Sequence, residues 1–393
     1  MKRWGFSTRA VHSAKAPETP QQPASVPIFQ SATWRFDSSE ELADVLNLAR
    51  PGHAYGRGYG NPTVEAFEAV AADLEETESA FGFASGAAAI FTTCLALAKG
   101  GRIVSSRQLY GGTHSLFHEV LPELGVEVRF VDVRDLGAVA SALDEGAEVL
   151  YAETIANPLC TVADLEALGL LCRERGVSSV VDNTFASAWL CTPAAFGFEF
   201  VVNSVTKFMA GHSDVIGGVV CSSAADRLRI RRTAIETGGA MQPFDAWLAT
   251  RGLETLEVRM ARQCATAQRL AETLAADDRV LAVHYPGLPT HPDHETARRI
   301  LRRPAFGGVL SVEVAGGVAG AARWCDAMEL AWIGASLGGT HTLVSHPAST
   351  THRQVDPALR RELGLADGLV RISCGLEEAD DLLEDLVGAL KAL

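Results

Sequence analysis

Lysine is scarce in this chain. Among 393 residues only Lys2, Lys15, Lys99, Lys207 and Lys391 carry an amine side chain, so chemistry that needs an amine nucleophile has few places to reside. Basic charge in general is in deficit: 34 Lys and Arg stand against 48 Asp and Glu, a formal net charge of −14. A chain of that sign lacks the positive face that neutralises phosphates or anionic lipid, which argues against nucleic-acid and membrane-surface binding. No apolar run reaches the ~18 residues of a membrane span. Residues 1–20 contain no apolar core of a secretory signal. The eight cysteines include no CxxC pair, which leaves a zinc site unsupported. Several lie in apolar stretches and read as reduced core thiols, so a cytoplasmic location is expected. The GxGxxG, Walker A and HExxH patterns are also missing, which weakens dinucleotide, ATP and zinc-protease readings.

What is present is an ordinary globular composition, 47% hydrophobic, in a chain long enough for two or three domains. Residues 1–60 have no clean period and hold Pro17, Pro20, Pro23 and Pro27; they read as an extended arm that contacts a neighbouring subunit. Over 61–250, short β-rich runs at 80–84, 102–105, 126–131, 147–152, 177–182, 199–204 and 216–221 alternate with helical segments at 87–98, 113–124 and 163–175. That alternation predicts an α/β fold built on a mostly parallel seven-stranded sheet. A helical stretch spans about 243–277. Residues 251–393 then mix strands near 280–284, 308–314, 330–333 and 369–374 with helices near 292–302, 317–328 and 377–391, as in a smaller α+β C-terminal domain.

Two buried runs end in charged residues. Val180-Val181 leads into Asp182, and Phe198 to Val202 leads into Ser204-Val205-Thr206-Lys207. Ligands of parallel α/β sheets bind at the carboxyl ends of the strands, where both would project. Asp182 could instead be a helix N-cap or a turn residue. An amine that is desolvated has a lowered pKa and becomes a nucleophile suited to Schiff-base chemistry; otherwise Lys207 is a loop lysine that snorkels to water. Ser204 and Thr206 offer hydroxyls for phosphate oxygens. Ser85-Gly86-Ala87 opens an Ala-rich helix, where small residues let backbone N–H groups approach a phosphate. Tyr55-Gly56-Arg57 suits anion capture, or is a flexible loop. Tyr110, before Gly111-Gly112, could lay its ring over a flat ligand or pack on the core. Arg371 follows apolar residues and is expected to be half-buried against a carboxylate, which could belong to a substrate or to the fold. His341, His346 and His352 read as polar loop residues.

The ordered strings VDNTF, SVTKF-MAGHSD, SLGG and RISCGLE together resemble the Cys/Met-metabolism family of pyridoxal-5'-phosphate (PLP) enzymes, over a span from Thr8 to about Leu386. The resemblance implies the PLP-dependent transferase fold type I and a homotetramer made as a dimer of dimers. It implies that Lys207 is the Schiff-base lysine, Asp182 the partner of the pyridinium nitrogen, and Tyr110 the stacked ring that also joins in proton transfer. Ser85, Gly86, Ala87, Ser204 and Thr206 match the phosphate cradle. Tyr55 and Arg57 match a pair that reaches the phosphate from the neighbouring subunit, and Asn157 the asparagine near the cofactor hydroxyl. Ser336 and Arg371, with Asn157 and Tyr55, match the substrate binders.

Within that family this chain lacks acidic residues at Ala54 and Ala335, has Ser115 where some lyases carry arginine, has Gly112 where methionine γ-lyases often have cysteine, and has Thr340-His341-Thr342 in place of a common VES pattern. The expectation is a lyase that cleaves the C–S bond of cystathionine or a simpler thioether or thiol amino acid by γ-elimination, with β-elimination as a further route. The alternative is a γ-replacement enzyme acting on an O-acyl-homoserine, of cystathionine γ-synthase or O-acetylhomoserine sulfhydrylase type. A non-catalytic protein on the same fold is a third reading, disfavoured by the joint presence of Lys207, Asp182 and Tyr110.

Overall fold

A computed structural model describes residues 4–350, 360 and 364–393. Seven strands form the first sheet: β1 (Ser79–Phe83), β2 (Arg102–Ser106), β3 (Glu127–Val131), β4 (Val149–Glu153), β5 (Ser178–Asp182), β6 (Phe200–Ser204) and β7 (Gly218–Ser222), in the spatial order β1-β7-β6-β5-β4-β2-β3. Each lies within two residues of its sequence-predicted position. β7 alone runs against the direction of the other six strands. The cause lies in its connection. Residues 205–217, between β6 and β7, form turns rather than a crossover helix, so the chain returns beside the strand it left. The central strands β4 to β6 are buried on both faces, which is why they read as continuous apolar runs.

Helices cover the sheet. Those that position the site are α3 (Pro62–Glu75) and α4 (Gly86–Ala98), which follow α1 (Phe6–His12) and α2 (Ser39–Leu46) in the chain. Asn61 caps α3 by accepting from the N–H groups of Thr63 and Val64, with Pro62 at the first turn. The C-terminal end of α3 delivers Glu75, fully buried, to the strand ends. There it accepts from the carboxamides of Asn183 (3.1 Å) and Asn203 (2.7 Å) and ties the segments after β5 and within β6 together. Burial pushes the Glu75 carboxyl up to about 7.

A second, five-stranded sheet follows, made of β8 (Val280–His284), β9 (Val309–Val314), β10 (Trp332–Ile333), β11 (Leu343–Ser345) and β12 (Leu369–Ser373), in the order β10-β11-β12-β9-β8. Its own core holds Leu270, Tyr285, Leu310, Trp324 and Leu386. Among the described residues no helix is long and apolar enough to cross a membrane.

The structure amends several expectations. The N-terminal arm holds two short helices, Phe6–His12 and Ser39–Leu46. The first is docked by Arg9, which is buried and pairs with Asp73 and Glu76. The single helical stretch over 243–277 is two helices, Pro243–Glu254 and Leu256–Ala275, broken at Thr255. Helices Leu136–Asp144 and Ala224–Thr237 and strand β11 were not anticipated.

Candidate active site

Three parallel strands end side by side in polar residues: β4 in Glu153, β5 in Asp182 and β6 in Ser204. Beyond them lies a cavity of about 320 Å³ whose lining includes Ser85, Gly86, Ala87, Tyr110, Asn157, Lys207, Ser336 and Arg371. Of the residues singled out in the sequence for cofactor and substrate, all but Tyr55 and Arg57 therefore meet in one cleft.

Lys207 sits in the turn after β6, and its Nζ donates to Ser336 Oγ at 2.8 Å. Burial, and then the charge of Arg371, lower its pKa to about 8, so a usable fraction of the amine is neutral near physiological pH. The turn is held from beneath. Arg259, buried, donates to the carbonyls of Phe208 (2.8 Å), Met209 (3.3 Å) and Gly252 (2.7 Å). Gly338 packs against the same turn, where a Cβ would lie 2.7 Å from Phe208 N.

Asp182 makes the contacts of a turn residue and caps no helix among the described residues. Its Oδ1 accepts from the backbone N–H of Thr184 (2.9 Å) and from the Thr184 hydroxyl, a local turn-capping pattern. Its carboxyl nonetheless lines the cleft, and burial raises its pKa. The groups that stabilise its charge are neutral: Thr184, and the Tyr151 hydroxyl at 3.5 Å. A buried carboxylate that faces a cavity with neutral partners is suited to a cationic group of a ligand.

Ser85 caps α4 by accepting from Ala88 N (3.0 Å). The adjacent Gly86 leaves room that a side chain would fill, since a Cβ there would lie 2.9 Å from Ser204 Cβ. The N-terminal residues of a 13-residue helix thus line the same cavity as Ser204, Thr206 and Asp182. Thr206 Oγ1 is already engaged with Gly217, accepting from its N–H at 3.0 Å. Tyr110 is half exposed over the opening, and Gly112 permits that ring position: a Cβ on Gly112 would lie 2.5 Å from Tyr110 Cε1. Helix dipole and hydroxyls for a phosphate, a carboxylate for a ring cation, an exposed aromatic face and a lysine amine fit a flat phosphorylated aldehyde such as PLP.

Arg371 departs from the expectation of half burial against a carboxylate. It is buried, 5% exposed, and it donates to Asn157 Oδ1 (3.2 Å) and to the Ser336 carbonyl (2.7 Å), with its Nε unpartnered. Burial lowers its pKa to about 10. A buried guanidinium that among the described residues meets only neutral acceptors, in a wall of a cavity, is poised for an incoming anion. Ser336 adopts φ 101°, a strained value for a residue with a side chain, and holds it while its hydroxyl and carbonyl contact Lys207 and Arg371.

Tyr55 and Arg57 lie in another cavity, with Gln30 and Gln242, and Arg57 donates to the Ile235 carbonyl. Within one chain they do not line the cleft that holds Lys207. His341 stacks on Trp332 with ring centroids 4.0 Å apart, and His346 is buried between Ser349 and the Asp367 carbonyl. Neither lines the cleft, and His352 is outside the described residues. All eight cysteines are free and buried, and among the described residues no cluster could hold a metal.

Two site residues escaped the sequence reading, Glu153 and Thr184. Glu153 ends a buried strand as Asp182 does, and the same signal could have found it. Thr184 braces two members of the site, because its hydroxyl also accepts from Ser204 N at 2.8 Å.

The family model described as Cys/Met metabolism PLP-dependent enzyme matches residues 7–391. An L-methionine gamma-lyase of Pseudomonas putida is 39% identical over 391 residues, 99% of this chain and 98% of its own. A crystal structure of cystathionine gamma-lyase from Lactobacillus plantarum, complexed with L-serine, superposes with a TM-score of 0.92 at 32% identity, covering 99% of each chain. An O-acetylhomoserine (thiol)-lyase structure from Campylobacter jejuni, which carries N'-pyridoxyl-lysine-5'-monophosphate, gives a TM-score of 0.95 at 28% identity and covers 99% of this chain and 100% of its own.

Proposed function

Because the chain belongs to the Cys/Met-metabolism PLP-dependent enzymes, we propose that it is a carbon–sulfur lyase that acts by γ-elimination on cystathionine or a simpler thioether amino acid, with water as co-reactant and a 2-oxo acid, ammonia and a thiol as products. The observation that carries this reading is the pairing, in one cleft, of a desolvated lysine amine with a buried arginine that meets no carboxylate among the described residues.

PLP bound there supplies an electron sink for bonds at the substrate's α- and β-carbons. Lys207 would hold it through Nζ, Asp182 would face its ring nitrogen, and Tyr110 would cover its ring. Ser85, Gly86, Ala87, Ser204 and Thr206 would surround its phosphate, and Asn157 its hydroxyl. Arg371, with Ser336 and Asn157, would take the α-carboxylate of the substrate and so fix which bond at the α-carbon faces Lys207. With its amine free, Lys207 could take a proton from that carbon and return it nearby, since burial lowers its pKa to about 8.

Tyr55 and Arg57 complete the phosphate site if two subunits pair, which fits their place in a separate cavity of the single chain. A homotetramer built as a dimer of dimers, in the cytoplasm, with residues 1–60 as an inter-subunit arm, 61–250 as the cofactor domain and 251–393 as the small domain, is part of the same proposal.

Among the described residues, the charged ones that line the cleft are Glu153, Asp182, Lys207 and Arg371, and the reading above gives three of them to cofactor and α-carboxylate. Glu153 bonds to backbone N–H groups, and Ala335 stands on the wall without a charge. Little is left to fix the distant amino-carboxylate end of cystathionine, which favours small or apolar leaving thiols. The test is a side-by-side assay of cystathionine, methionine, homocysteine, cysteine and O-acetylhomoserine plus thiol. Release of 2-oxo acid from a thioether or thiol substrate is expected; 2-oxobutanoate formed only when an acyl-homoserine is supplied would replace the lyase reading with γ-replacement.

Arg371→Ala should raise KM about tenfold to a hundredfold while kcat changes less, because a charge-assisted hydrogen bond is worth about 1.5–3 kcal/mol. Steady-state kinetics on the substrate identified above check this, and an unchanged KM would remove Arg371 from substrate recognition. Arg371→Lys should recover only part of the loss, since an ammonium cannot reproduce the two-pronged contact.

A further inference from the structure

We propose that Glu153 is a positioning residue of this site: its carboxylate fastens the backbones of Tyr110 and Asn157 to the strand end beside Asp182, and thereby sets the places of the covering ring and of the carboxamide that serves both cofactor and Arg371. The inference rests on the reading of the cleft as a PLP site.

The geometry is specific. Glu153 is the last residue of β4 and pairs in register with Asp182, the last residue of β5. It is buried and lines the cleft. Its two oxygens are divided between two loops, Oε1 accepting from Tyr110 N at 2.7 Å and Oε2 from Asn157 N at 3.2 Å. The Tyr110 loop follows β2, and the Asn157 loop follows β4 itself. Asn157 in turn accepts from Arg371 through Oδ1, so the tether extends from the strand end to the buried guanidinium.

A fold that merely needed two loops closed would not place a second acid against Asp182. Burying two adjacent carboxyls is costly, and burial together with Asp182 pushes Glu153 up to about 8. The arrangement is suited to a ligand that brings a cation. Of the titratable and charged groups around Glu153, Asp182 stands beside it on β5, Tyr151 is on its own strand, and Lys207 and Arg371 line the same cleft. Burial raises the Glu153 pKa first and the charge of Asp182 second, and a ring cation against Asp182 offsets that second contribution. The ionised carboxylate then accepts from both N–H groups at full strength, whereas the protonated form has one good acceptor. Cofactor affinity should therefore depend on pH through Glu153.

The experiment compares wild type, Glu153→Gln and Glu153→Ala as apo-proteins titrated with PLP, followed by the visible absorbance and circular dichroism of the bound cofactor at several values across about pH 6 to 9. Glutamine is nearly isosteric but supplies one acceptor oxygen and an amide that opposes the second N–H. We expect its dissociation constant to rise about tenfold, that of Glu153→Ala to rise further, the circular dichroism of the cofactor to weaken, and the pH dependence to shrink in both variants to the part that the Lys207 amine contributes in all three proteins. Should Glu153→Ala not fold, Glu153→Gln alone decides the matter. Wild-type affinity, dichroism and pH profile in the variants would overturn the inference while leaving the PLP site intact. A wild-type protein that takes up no PLP would overturn the reading on which it stands.

Discussion

Lys207→Ala is expected to abolish turnover, by about 10⁴-fold or more, and to remove the visible absorbance that lysine-bound PLP gives the wild-type protein. The size follows from how little can substitute. Lys2 lies outside the described residues, Lys15, Lys99 and Lys391 are not among the residues lining the cleft, and no other amine side chain exists in the sequence. Lys207→Arg separates charge from nucleophilicity. It restores a cation at the same place, yet a guanidinium stays protonated, so the variant should be as inactive as the alanine. The amine's pKa of about 8 supplies a further signature. Below that pH the amine is mostly protonated and unreactive; above it the amine is mostly free. The rate at which apo-protein takes up PLP covalently should climb roughly tenfold from pH 7 to pH 9 and then level off. Turnover by Lys207→Ala comparable to wild type, or an uptake rate indifferent to pH, would remove this lysine from the centre of the site.

The fold and the site were visible in the chain to different depths, for physical reasons. Strands buried on both faces appear as apolar runs whatever surrounds them, so β4, β5 and β6 could be placed from the sequence alone, and Asp182 and Ser204 at the ends of two of them. Helices were harder. Ala224–Thr237 carries four arginines and only three buried residues, too narrow an apolar stripe to give a clear period. β11 is three residues long inside a Thr- and His-rich loop, and its pairing with β10 and β12 is a tertiary fact. Arg371 shows the same limit within the site. Its place on an apolar strand announced burial, but that its partners would be a carboxamide and a carbonyl depended on Asn157 and Ser336, which approach from distant parts of the chain. Glu153 is the converse case: it has the same strand-end position that singles out Asp182, but the string after it reads equally well as an ordinary turn.

Asp182→Asn should lower kcat about 10²- to 10³-fold, the range seen when one preorganised electrostatic partner of the reacting system is lost. The amide is nearly isosteric and can still accept from Thr184 N, so the turn after β5 should persist. What it cannot do is favour the protonated form of a ring nitrogen, because that requires a negative charge. The same substitution should stabilise the apo-protein. Asp182 has a raised pKa because it is buried with only neutral hydrogen-bond partners, so the folded apo-protein holds a proton that the unfolded chain has already released. Its contribution to stability is present at acidic pH and is lost as pH rises from the ordinary carboxyl range through the raised folded value. Thermal melts of apo-protein should show wild type losing stability over that interval and Asp182→Asn losing less, with the variant the more stable at neutral pH and the weaker at retaining PLP. Stability and cofactor affinity moving in opposite directions would mark Asp182 as an acid kept for its ligand. A variant less stable than wild type in the apo form, with undiminished turnover, would instead make it a turn cap and no more.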